Sequence, residues 1–324
     1  MKNIKNKKAF SLLEVIFVIV ILGIVASVGS TIIAQLYENH IMQKAMHSVS
    51  SKTELAINQI ANRLAYRVSN SVLSRRADNT FIPLTDMIFN TTNTDRTVLE
   101  WIGYDNDSYS AQRRPGWSGY CDLNSTGVAA GIITPGSRLN VTNTIINNLS
   151  GGTNPQLALL FSLFGRPDGI IPQPNPSCFG FAADANTSCI HQVGIMDNLT
   201  LRTDRAAGAA NTNISDQYKL AWSAFAIVSI NEDALYNGVR DGAIVTNPTP
   251  RSFDLVFRYN YQPWNNIQYD DSNTPSSTII RNVTSFKYAE LGGTMRIKLC
   301  ATERVGDVGS SVNVSVCKEK VVIR

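Results

Sequence analysis

The 324-residue chain has three histidines, His40, His47 and His191, and five cysteines, none of them in a CxxC pair. That set lacks the ligand clustering of a zinc site, so neither a metal nor a cofactor is expected. The sequence has no nucleophile elbow, P-loop, dinucleotide fingerprint or HExxH motif, and nothing in it marks an enzyme. No repeat with a period of roughly 20 to 50 residues occurs, which excludes solenoids and propellers. Neither Pro nor Gly lies between Ser30 and Arg76, so this stretch has no strong local signal to end a helix.

The formal net charge is +4, from 29 basic and 25 acidic side chains. Lys2, Lys5, Lys7 and Lys8 all fall in the first eight residues, so without them the chain is near neutral. A general electrostatic case for nucleic-acid binding then disappears. A 44% hydrophobic composition at this length is enough to build a sizeable core.

An apolar run over 10–36 follows the lysines, with Glu14 as its one charged residue. About 20 helical residues cross a hydrocarbon core of roughly 30 Å, and 15–34 is long enough to do so. The lysines keep the N-terminus cytoplasmic. A secretory signal has a shorter apolar core and then a break, whereas this run continues into Met42, Met46, Val49, Ala56, Ile60, Leu64, Val68 and Val72 at helical spacings. The periodicity predicts one helix over 10–76, with its second half amphipathic. Arg63, Arg67, Arg75 and Arg76 near its end read as a solvated face that complements the helix C-terminus. A carboxylate in an apolar run is costly unless it finds a partner, and a plain membrane anchor leaves Glu14 unexplained.

The segment KKAFSLLEVIFVIVILGIVASV resembles the cleavage and methylation motif of type IV prepilins and type II secretion pseudopilins. The resemblance implies a basic leader over 1–9, cleavage between Ala9 and Phe10, and N-methylation of Phe10. Glu14 is then fifth in the mature chain, where the family's Glu pairs with a neighbouring N-terminus during assembly. Ala9 stands where the family most often has Gly, and Thr31 where many members have Pro. The implied fold is α+β and pilin-like: a transmembrane, filament-core helix over 10–36, an amphipathic continuation over 37–76, and a globular head over 77–324. The implied partners are the prepilin peptidase, other pilins or pseudopilins, an inner-membrane assembly platform and inner-membrane lipid. The implied location is a single-pass inner-membrane protein of a Gram-negative-type bacterium, with a periplasmic head that later joins a pilus or pseudopilus. A head of this size resembles those of minor subunits. The alternatives are a ligand-binding pilin, an adhesin or DNA-uptake receptor using loops over 90–206, and a membrane-anchored periplasmic enzyme.

Residues 77–153 read as loops and short strands, among them 97–102 and 127–133. The apolar piece 157–165 suits a buried helix or a strand equally. SFDLVFRYNYQ, NVTSFKYAEL, TMRIKLCA and SVNVSVCKEKVVIR alternate apolar and polar residues, which predicts an antiparallel meander. Cys178 with Cys189 and Cys300 with Cys317 are candidate disulfides, leaving Cys121 over, although spacing does not determine connectivity. The acidic stretches at 105–110 and 270–273 lack the Gly and distal Glu of an EF-hand and read as polar turns. Asn124 and Asn186 lie in glycosylation sequons with an Asp two residues earlier, a weak signal in an Asn-rich chain.

Overall fold

A computed structural model describes residues 11–68, 71–76, 81–84, 96–110, 113–126, 131–161, 176–181, 187, 189–203, 214–230, 239–240, 243–244, 252–291, 294–305 and 312–323. The leader lysines, Ala9, Phe10, Asn186 and most of 127–133 lie outside these residues.

Helix α1, Leu12–Leu64, has 53 residues and so a length of about 80 Å. Three short strands follow: β1 (Leu73–Arg76), β2 (Phe81–Pro83) and β3 (Arg96–Tyr104). Next come α2 (Asn106–Tyr109), β4 (Ile132–Ile133), α3 (Leu139–Leu149), β5 (Leu157–Phe161), β6 (His191–Ile195) and β7 (Thr200–Thr203). The remainder is β8 (Tyr218–Ile230), β9 (Val239–Arg240), β10 (Ala243–Ile244), β11 (Phe253–Tyr261), β12 (Ser276–Leu291), β13 (Thr294–Val305) and β14 (Val312–Val322).

Among the described residues, twelve strands form one sheet with the order β14-β13-β12-β11-β8-β5-β6-β7-β4, and β1 to β3 join it through β8. β8 is the hinge of this topology. Residues 224–230 pair with β11 and residues 218–221 with β5, while 221–228 pair with β3 on the opposite edge. Its run YKLAWSAFAIVSI is apolar on both faces because both faces are covered, one by α1's core and one by a second cluster around Phe179, Phe181 and Trp264. β11 to β14 form the antiparallel meander that the alternating sequence predicts. A third core, around Trp117, Leu139, Ile146 and Leu159, uses no residue of α1. The apolar piece at 157–161 is a strand.

α1 ends at Leu64, twelve residues before the end that the periodicity predicts, and 73–76 are strand β1. Two interactions account for the stop. The Arg67 guanidinium donates to the Leu64 carbonyl at 2.9 Å, satisfying a helix-end acceptor, and Arg67 then bridges to Gly103 of β3. A Cβ at Gly103 would stand 2.5 Å from the Phe225 ring, so this crossing requires glycine. Ser71 donates to the Val68 carbonyl and accepts from the Ile102 amide, turning the chain into the sheet. The predicted buried stripe also shifts. Val49, Ala56, Ile60 and Leu64 are buried with Ala45, Thr53, Ile57 and Ala61, but Met46 is 53% exposed.

The arginines depart furthest from the sequence reading. Arg67 and Arg75 are buried rather than solvated. Arg67 stands 3.7 Å from Glu290, and Arg75 stands 3.1 Å from Glu100. Arg75 also donates to the Phe181 carbonyl and lies over the rings of Phe81 and Tyr269. The Tyr261 hydroxyl donates to Glu100 at 2.9 Å. Burial raises the Glu100 pKa to about 7, against the opposing pull of Arg75 and Tyr261. Buried charge of this kind costs several kcal/mol per ion unless well paired. These pairs tie the chain leaving the stem to β3, β11 and β12.

Residues 139–149 form a helix where the sequence reading expects loops and short strands. Leu139, Thr142 and Ile146 are its buried residues, spaced by three and four along one face.

Candidate assembly surface

Ser11 is the N-cap of α1, and Glu14 lies in the first turn, where a carboxylate complements the helix dipole. From Leu12 to Tyr37 the helix carries Leu, Ile, Val, Phe and Ala on every side, and no residue of this half is buried. A helix apolar all round with no protein against it is built for lipid or for other helices, because its own hydrogen bonds satisfy the backbone. By length and composition it is able to cross a membrane. The polar residues Glu38, His40, Gln43 and Lys44 end the apolar surface before the head begins.

The second half of the stem is fastened to the head. Its buried stripe packs on β13 and β14, with fewer contacts to β12. Lys318 reaches Glu54 at 3.5 Å, Lys320 donates to Asn58, and Lys52 pairs with Glu303 at 3.2 Å. The first two contacts advance together along α1 and β14, so that strand runs alongside the helix in the same direction, and the third reaches the neighbouring β13. His40 and His47 are exposed on the stem, and His191 is buried edge-on to Phe161.

Cys300 and Cys317 face each other in the β13–β14 register and are disulfide-bonded, as are Cys178 and Cys189. Cys121 is a buried free thiol, with its pKa raised by burial. The acidic stretches serve turns. Asp105 is buried and accepts from the Ser108 amide and hydroxyl, and Asp271 accepts from the Gln268 amide. Burial raises the Asp105 pKa to about 6. Among the described residues, no group of three or more His, Cys, Asp or Glu is placed to hold a metal ion. Asn124 is exposed on a turn whose amide is held by Asp122.

The apolar stem stands out in the sequence, whereas the buried ion pairs leave a fainter trace. The signal available for them was a set of cations and carboxylates inside otherwise apolar strands: Arg75, Glu100 and Glu290.

No curated protein and no solved structure matches the chain. The family model of the prokaryotic N-terminal methylation motif matches residues 4–30. That motif, the exposed apolar stem that continues it, and the α+β head with its antiparallel sheet support a protein of the type IV prepilin or pseudopilin type.

Proposed function

We propose that the protein is a minor structural subunit of a type IV pilus-like or type II secretion-like filament, and that it catalyses no reaction. The reading rests on one coincidence: the methylation motif leads directly into a helix that carries Glu14 in its first turn and is apolar and uncovered to Tyr37. Cleavage before Phe10 frees an ammonium, and Glu14 of one stem pairs with that ammonium on the next. A carboxylate that is costly in the apolar phase thereby gains a partner only on assembly. The helix is single-pass, in the inner membrane, with the head on the periplasmic side. Bulky heads suit occasional rather than repeating positions, because stems cannot pack closely while large heads crowd one another.

Two measurements test this. N-terminal sequencing and mass of the mature chain should show methylated Phe10 only in cells with the prepilin peptidase. An intact Met1 in both strains removes the reading. Glu14→Ala should reduce incorporation into sheared filaments at least tenfold while leaving cleavage intact. Undiminished incorporation would show that the carboxylate has no assembly role.

A further inference from the structure

A groove of about 570 Å³ runs between α1 and strands β12 and β13. Val49, Leu55 and Ala56 line it from the helix, and Ile279, Ile280 and Ala301 from the sheet. The Lys52–Glu303 pair and Arg281 form its polar rim. Leu55 is 64% exposed, a large apolar side chain beside apolar walls in the half of the stem that packs on the head.

Helical periodicity continues this face downward. Tyr37, Ile41, Ser48, Lys52, Leu55 and Gln59 follow one another at spacings of four, seven, four, three and four, which keeps them on one side of α1. That side is distinct from the Val49, Thr53, Ala56, Ile60 stripe packed against the sheet. Tyr37, like Leu55, is exposed, and this side of α1 leads from the groove past the polar Ser48 and Lys44 to the uncovered apolar half of the stem.

We propose that this groove seats the apolar stem of a neighbouring pilin-type subunit, a helix with the chemistry of residues 12–36 of this chain. The proposal rests on the filament reading and specifies where a stem docks. It supplies what each surface lacks: the apolar helix has no protein cover, and the groove beside Leu55 has no occupant among the described residues. A helix laid along the seam continues the same stem-to-stem contact into the head, and the Lys52–Glu303 pair borders it. The geometry also sets an offset. With the groove centred near residue 54 and the apolar half near residue 24, the two subunits are displaced axially by about 30 residues, or roughly 45 Å.

The test places a photoreactive phenylalanine derivative at position 55 in the full chain, in cells with the prepilin peptidase, and maps cross-linked peptides by mass spectrometry. Cross-links to a pilin-type stem, centred about 30 residues below position 55, are expected. Cross-links confined to a head segment, to lipid or to a protein without a prepilin stem overturn the proposal. As a second measurement, Leu55→Glu should lower sedimentable assemblies at least tenfold without moving the thermal unfolding of the head, while Leu149→Glu, at the exposed end of α3 and outside the groove lining, should leave assembly unchanged. Normal assembly of Leu55→Glu overturns the groove and leaves the filament reading standing. No assembly by the unsubstituted chain overturns both.

Discussion

The two ends of α1 share one uninterrupted ladder of backbone hydrogen bonds and differ in what surrounds them. Residues 12–36 bury nothing, and residues 45–64 bury a side chain at every third or fourth position. Helix is therefore compatible with both settings, because its backbone partners lie within the segment. What differs is the source of stability. The lower half depends on lipid or other stems, while the upper half depends on the head and is a structural element of it.

The comparison predicts a division of effects, largest first. Arg75→Met strips the partner from Glu100 inside the head and should cost about 3–5 kcal/mol near neutral pH, measured by urea unfolding of the full chain in detergent. The loss should shrink at pH 5, where Glu100 takes up a proton. An equal loss at both pH values would mean that the carboxylate stays charged without Arg75. Ile60→Ala should cost about 2–5 kcal/mol, whereas Ile24→Ala, on the exposed half, should leave unfolding of the head unmoved. A matching effect from Ile24→Ala would erase the distinction between the halves.

A smaller effect comes from pH alone. The Glu100 pKa is about 7 in the fold against an ordinary 4.5, so the folded state binds a proton more readily than the unfolded chain. Its contribution is fully present below pH 4.5 and is lost as pH rises through about 7. Asp105, raised to about 6 from 3.8, acts in the same sense over a lower window. Stability measured at pH 5 and 8 should fall with rising pH, and Glu100→Gln should flatten the dependence. The smallest effect belongs to Lys52→Ala: this exposed pair should change unfolding by less than about 1 kcal/mol, and a larger change would show that the pair holds the stem to the sheet.

Much of this division is legible in the sequence because it is written in local patterns. The lysines, the apolar run, the offset of Glu14 from Phe10 and the alternation in β11 to β14 each fall within a few residues. The missed features depend on distant residues. Arg75 looks like a surface helix residue until Glu100 and Tyr261 stand beside it, and the end of α1 at Leu64 depends on Gly103. The third core was obscured differently. Asn and Thr give α3 weak helix propensity, although its Leu139, Thr142, Ile146 face was there to be counted. β8 is apolar on both faces, so it carries no period-two alternation over most of its length.

The course of β14 along α1 has a mechanical meaning. A pull on the stem along its axis loads the β13–β14 ladder lengthwise, so that its hydrogen bonds resist together and do not open one after another from an end. The Cys300–Cys317 link crosses that ladder between directly opposed residues. Slippage of one strand past the other would have to break a covalent bond, so the head transmits tension through the seam by which its stem holds it.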